Sequence, residues 1–356
     1  MFPFLTKYSY RKKMKSGALV DLRDPRERIK DYKLEEVVSN ISPVDWEEKN
    51  QNDWRQFPIF NQDGSGSCVA QTCAKLLGIN YWLKNNDYIH FSATHIYKRR
   101  SNRPNTGMAG TDALDIMRNG TTFEILVPSQ NLTDEQMDGT EIEFYKKEVG
   151  DIFKTENYII DPVKDIDTIA SIIQKTGKGV MLWFFFKGDE WNNVPEVKTN
   201  NLSILSGSTL RHSVTAVDFT LYEGKKALII EDSWGINYGF KGQRIITEDF
   251  FIKRNFFSAH LTDFTFAKPN VKKYNFEKTY KRGDRDAQYL QEFLKEQGFF
   301  PTNVESTGYY GSITAKAVLK WQLYNVSSFA GKYETSSLEA LGGDFFGNAS
   351  IKIANK

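Results

Sequence analysis

The period of the apolar residues changes once along this chain, and that change limits the folds open to it. From Cys68 to about Asn85 the period is helical: Val69, Cys73, Leu76, Leu77 and Tyr81 recur on one face of a 3.6-residue repeat. A second helix is expected over 111–119, with Gly120 as its stop. Further on, GVMLWFFF (179–186), SVTAVDFTLY (213–222), KALIIED (226–232) and GQRIIT (242–247) read as strands. Helices gathered before strands do not build an alternating parallel sheet. They point to an α+β protein with a helical lobe and an antiparallel β lobe.

Composition shifts divide the 356 residues further. Residues 1–50 are polar and charged and read as an extended arm that wraps over the main domain, with an inhibitory pro-segment as the sharper alternative. The main domain is expected over 51–266. Between Lys268 and Arg282 stand six basic residues and one acid, so 267–282 reads as a basic linker. A small helical unit follows over 283–345, and 346–356 is a tail.

Several classes are disfavoured. A formal net charge of +2 argues against a nucleic-acid-binding surface. The two cysteines, Cys68 and Cys73, cannot staple a secreted scaffold and do not form a C-x-x-C motif. Among the four histidines, His90 and His95 lack zincin spacing, so neither metal nor cofactor is expected. No apolar run is long enough to span a membrane. The first residues, MFPFLTKYSYRKKMKSG, place their charges after a very short apolar stretch, the reverse of a signal peptide. Synthesis in the cytoplasm is therefore expected, with a phage particle or the cell wall as destinations.

Cys68 begins its helix just after the turn Gly64-Ser65-Gly66-Ser67. A nucleophilic thiol must ionise near neutral pH, and a helix N-terminus with an imidazolium partner achieves that. The Cys68 backbone N–H, unpaired at the helix start, and the side-chain amide of Gln62 are candidate oxyanion donors. The run Asn61-Gln62-Asp63-Gly64-Ser65-Gly66-Ser67-Cys68 resembles the nucleophile signature of papain-like cysteine peptidases. Ser65 replaces a cysteine that usually forms a disulfide in that family, and Val69 replaces the usual aromatic. Cys73, on the apolar helix face, reads as core.

The resemblance continues downstream. His212 opens the strand HSVTAVDF, and Asp232-Ser233-Trp234-Gly235 follows where the family has Asn-Ser-Trp-Gly. Cys68 and His212 lie 144 residues apart, within the roughly 130–150 of papain-type enzymes. The resemblance implies a peptidase with Cys68 as nucleophile, His212 as base and then acid, and Trp234 shielding the His212–Asp232 contact. It also implies substrate contacts at Gly66, Ser67 and Trp234, and strand-like pairing of substrate backbone at Gly107 or Gly110. Asp232 in place of Asn is the main departure. A carboxylate there still orients the imidazole and raises the His212 pKa.

The terminal unit carries GDRDAQYLQEFLKEQGFF, then Gly308-Tyr309-Tyr310-Gly311 before a helix capped by Ser312 or Thr314, then a shorter copy from Gly331 to Gly343. It resembles the peptidoglycan-binding-like three-helix domain, with Trp321-Gln322 in place of Phe-Gln. Leu290 and Val318 read as core, while Tyr309 and Tyr310 read as exposed, either stacking on a glycan or packing the turn. The leading function is thus a thiol endopeptidase acting on a protein or peptide substrate, directed to peptidoglycan or to a docking protein by residues 283–345. The alternatives are a catalytically retired papain-fold component of a phage particle, and a transpeptidase using the same acyl-enzyme.

Overall fold

The computed structural model describes residues 17–19, 42–86, 88–124, 127–142, 153–155, 157–187, 190–191, 196–197, 210–266, 279–280, 283–296, 298–325 and 351–352. The chain opens with a two-residue strand, β1 (Ala18–Leu19), and the long helix α1 (Cys68–Asn85). Helix α2 (Ala93–Tyr97), strand β2 (Met108–Ala109), helix α3 (Gly110–Arg118) and helix α4 (Asp134–Gly139) complete the helical lobe. The helix expected over 111–119 is thus α3, and Gly120 beyond it takes φ +91°, a left-handed conformation suited to glycine.

The β lobe contains β3 (Phe153–Thr155), β4 (Tyr158–Ile160), α5 (Ile166–Thr176), β5 (Val180–Phe186) and β6 (Glu196–Val197). It continues with β7 (Leu210–Tyr222), β8 (Lys225–Glu231), β9 (Gln243–Thr247), α6 (Glu248–Arg254), β10 (Asn255–Leu261) and β11 (Phe264–Phe266). Seven strands form one sheet in the order β4-β10-β5-β7-β8-β9-β6. Every pairing in it is antiparallel except β6 with β9. All four strands read from the sequence, β5, β7, β8 and β9, lie side by side in it.

Strand β5 shows why its sequence is apolar without alternation. Side chains on a strand point to opposite faces at every step. Met181 and Trp183 enter the core around α1, while Val180, Leu182, Phe184 and Phe186 enter a second core beneath α5 and α6. Both faces are covered, so no polar position is called for. Helix α5 supplies Ile166, Ile169, Ala170 and Ile173 to that second core. Asp165 caps it by accepting from the Thr168 N–H, and Gly177 ends it at φ +68°. Among the described residues, no helix is long and apolar enough to cross a membrane.

The terminal unit has helices α7 (Gln288–Glu296) and α8 (Ser312–Asn325) around its own core of Leu290, Phe293, Leu294, Phe300, Tyr310 and Val318. Gln291 ties the two helices together. Its Nε2 donates to the Tyr309 carbonyl and Thr314 Oγ1, each at 2.8 Å, and its Oε1 accepts from Gly308 N–H. Tyr309 is 54% exposed as expected, but Tyr310 is fully buried. The correction has a simple cause: Tyr310 joins the core formed by Leu290, Leu294 and Val318, while Tyr309 stays outside it. The linker residues 267–278 and 281–282, the copy expected from Gly331 to Gly343, and the side chains of Trp321 and Gln322 lie outside the described residues.

Candidate active site

Helix α1 begins at Cys68, with Ser67 as its N-cap, so the thiol stands at the positive end of an 18-residue helix. Helix and sheet meet here. One turn along α1, Thr72 accepts a hydrogen bond from Ser213 Oγ at 3.0 Å, and Ser213 is the neighbour of His212 on β7. The histidine strand is thereby fastened to the cysteine helix.

His212 is buried, and its Nε2 lies 2.7 Å from Asp232 Oδ1. Its side chain is also hydrogen-bonded to Cys68. With Nε2 given to the carboxylate, Nδ1 is the nitrogen left for the thiol. Burial pushes the His212 pKa down, but the charge of Asp232, the hydrogen bond to it, and then Cys68 outweigh burial and take it up to about 9. For Asp232 burial favours the neutral acid. The His212 charge and hydrogen bond, the Arg244 charge and the Trp191 hydrogen bond reverse that and hold the carboxyl well below its usual range. The Trp234 ring lies 5.1 Å from the imidazole at 39° and covers it.

Cys73, five residues along α1 from the nucleophile, is fully buried, and burial drives its thiol pKa well up. That suits a core residue.

Gln62 is buried beside the nucleophile. Its Nε2 donates to the Ser65 carbonyl and its Oε1 accepts from Ser233 Oγ, both at 2.6 Å. Through Ser233 it is locked to the loop that carries Asp232. Ser67 shares a 2.7 Å hydrogen bond with Ser65. Gly66 donates to Asp134 Oδ1 at 2.8 Å. The same Asp134 oxygen accepts from Tyr97 Oη, which in turn accepts from Gly107 N–H. Asp134 and Tyr97 thus hold the nucleophile loop against the Gly107 edge. Gly110 lies beyond that edge, at the first position of α3, with the Trp183 ring packed on its Cα.

The edge itself is occupied. Strand β1 of the N-terminal arm pairs in parallel with β2, Ala18 opposite Met108 and Leu19 opposite Ala109. Met108 N–H donates to the Gly17 carbonyl at 2.8 Å. Gly17 sits so close over the nucleophile that a Cβ there would run into the Gly66 carbonyl and stand 2.8 Å from Cys68 Sγ. Sequence reasoning placed an arm over the domain but had no signal to single out Gly17.

Two further residues escaped the sequence reading. Arg244, on β9, donates from Nε to Asp232 Oδ2 at 3.0 Å, and Trp191 Nε1 donates to the same oxygen at 2.9 Å. Both are completely buried. An arginine in the run GQRIIT looks like the solvent-facing position of an alternating strand, and nothing in the pattern marks it as internal.

No protein-family profile matches the chain. It is 24% identical over 221 residues to chymopapain from Carica papaya, covering 60% of this chain and 56% of that protein's length. Xylellain, a cysteine protease from Xylella fastidiosa, superposes with a TM-score of 0.56 at 16% identity, over 71% of this chain and 97% of that one. The digestive procathepsin L 3 of Tenebrio molitor larval midgut gives 0.50 at 14% identity, over 65% and 73%. A helical lobe packed on an antiparallel sheet, with these neighbours, gives the chain the two-lobed papain-like fold.

Proposed function

We propose that this chain is a papain-like cysteine endopeptidase that cleaves a protein or peptide substrate through a thioester on Cys68. One observation carries the reading: thiol, imidazole and carboxylate, far apart in sequence, form one buried hydrogen-bonded line at the start of α1. The names of chymopapain and xylellain agree with it. Cys68 Sγ attacks the scissile carbonyl, and the oxyanion lies against the Cys68 backbone N–H and the second Nε2 hydrogen of Gln62. His212 passes its proton to the leaving amine and later takes one from water, while Asp232 keeps the ring oriented and Trp234 keeps water away.

Residues 17–19 favour a form held shut by its own arm. The test uses an epoxysuccinyl inhibitor at about pH 6 on the Gly17→Ala chain, with and without His212→Ala, and locates the modified residue by mass spectrometry. Rapid labelling of Cys68 that disappears with His212 supports the peptidase. Equal labelling of both forms refutes it and leaves the retired, binding-only protein. Adding an amine acceptor during turnover separates a hydrolase from a transpeptidase, which would yield the aminolysed product.

The terminal unit extends the proposal: the exposed Tyr309, with Tyr289 at 53% and Ile313 at 42% exposure, offers an apolar face for peptidoglycan or a docking protein. Sedimentation of the full chain with purified peptidoglycan, weakened by Tyr309→Ala, supports the glycan. No sedimentation leaves the docking protein.

A further inference from the structure

The surroundings of Asp232 are built for a carboxylate. Oδ1 accepts from His212 Nε2 and from Ser233 N–H, each at 2.7 Å. Oδ2 accepts from Trp191 Nε1 and Arg244 Nε. All four partners donate when His212 carries its proton. An asparagine has one acceptor oxygen and an NH2 that can only donate, so either way round it would set that NH2 against two donors. Asp232 is therefore no stray replacement of an amide.

A buried carboxylate beside a thiol brings a difficulty, because a second negative charge opposes ionisation of the first. Arg244 meets it. Its guanidinium is fully buried, lies 5.2 Å from the Trp191 ring centre and 5.8 Å from that of Trp234, and donates from Nη1 to the Trp191 carbonyl at 2.6 Å. Other charges close by are already matched: Glu231 with Lys75, and Glu190 with Arg254. Arg211 adjoins His212 on β7 and is partly exposed. Among the described residues, the groups facing His212 and Asp232 are thus Cys68 from α1 and Arg244 from β9.

We propose that Arg244 is a positioning residue that fixes the Asp232 carboxylate and cancels its charge, so that Asp232 acts on Cys68 and His212 as an oriented acceptor without adding net negative charge to the site. The groups then follow one another through the site: the Cys68 sulfur, the His212 imidazole, the Asp232 carboxylate and the Arg244 guanidinium. This rests on the peptidase reading for its purpose, but the electrostatic arrangement can be measured without turnover.

The experiment follows the His212 imidazole by NMR against pH in the full chain, its signal assigned with His212→Ala. Wild type is compared with Arg244→Met, Arg244→Lys, Asp232→Asn and the double variant Arg244→Met/Asp232→Asn, and kcat/KM is measured alongside. Arg244→Met is expected to move the His212 midpoint up by about one pH unit, and Asp232→Asn to move it down. The double variant is expected to have a midpoint between those of the two single ones and to recover at least tenfold in kcat/KM over the weaker single. Arg244→Lys keeps the charge and is expected to hold the wild-type midpoint, while losing activity because a lysine cannot span Asp232 and the Trp191 carbonyl. Should Arg244→Met not fold, Arg244→Lys and the double variant still decide the matter. An unchanged midpoint in Arg244→Met, a shifted midpoint in Arg244→Lys, or a double variant no better than the worse single would overturn the proposal. A chain that shows this titration pattern but cleaves nothing would instead overturn the peptidase reading.

Discussion

Replacing Gly17 with alanine should open the cleft. A Cβ at this position would stand 2.6 Å from the Gly66 carbonyl carbon and 2.8 Å from Cys68 Sγ. Neither neighbour can yield, since one is backbone and the other sits at the first residue of a buried helix. The nearest atom is the Gly66 carbonyl oxygen at 2.0 Å and ordinary contact begins at 3.4 Å, so the arm must retreat by about 1.4 Å. That retreat breaks the 2.8 Å bond from Met108 N–H to the Gly17 carbonyl and lifts Ala18, which is completely buried. A net backbone hydrogen bond contributes about 1 kcal/mol and a buried methyl about 0.8 kcal/mol. Together they weaken the closed form by about 2 kcal/mol, which raises the open fraction by about 30-fold. The assay is the second-order rate of Cys68 modification by an epoxysuccinyl inhibitor, with Gly139→Ala as control because a Cβ on Gly139 meets nothing within 4 Å. The expected result is an increase of about 10- to 50-fold for Gly17→Ala and none for the control. If Gly17→Ala reacts at the wild-type rate, residues 17–19 do not restrict access and the reasoning fails.

Three other outcomes are expected. Because the His212 pKa rises from 6.5 to about 9 on folding, the stability it contributes is complete below pH 6.5 and is lost as pH rises through about 9. That difference amounts to about 3 kcal/mol, the net of burial against Asp232 and Cys68, and urea midpoints between pH 6.5 and 10 should fall in wild type but stay nearly level in His212→Ala. Gly110→Ala forces a Cβ into the Trp183 ring and should cost about 1–3 kcal/mol, read as a lowered Tm. Lys75→Met leaves the buried Glu231 carboxylate without its 2.6 Å partner and should destabilise by about 3–5 kcal/mol, with most of the loss recovered in Lys75→Met/Glu231→Gln.

How much of this was legible in the sequence depended on whether a residue's chemistry was local. Cys68 was readable because a Gly-Ser turn, a helix start and a thiol are neighbours in the chain. His212 and Asp232 were readable because the resemblance puts a histidine at a strand start and an Asn-Ser-Trp-Gly-like run after the next strand, and those strands became β7 and β8, with Asp232 directly after β8. Strand β10 and helices α5 and α6 were not singled out, since polar and apolar residues mix in them and their burial is decided by what packs on top. Arg244 was hidden for the opposite reason. A charge inside a strand normally marks the solvent face, and only the distant Trp191 and Asp232 make the interior acceptable to it. Gly17 was one of 25 glycines, and its significance is purely a matter of distance to Gly66 and Cys68. Tyr310 shows the same limit on a smaller scale, because two adjacent tyrosines carry identical local information yet only one is buried.

Strand β5 has a mechanical consequence. Met181 and Trp183 are anchored in one lobe, and Leu182 and Phe184, their immediate neighbours, in the other. Parting the lobes like the covers of a book would tear the spine, since every second side chain of a single strand would have to leave its core. The seam between them is therefore fixed in width. On the proposed reading, a polypeptide enters when the strip of chain lying in the seam peels away, which places the control of entry in residues 17–19 rather than in a hinge.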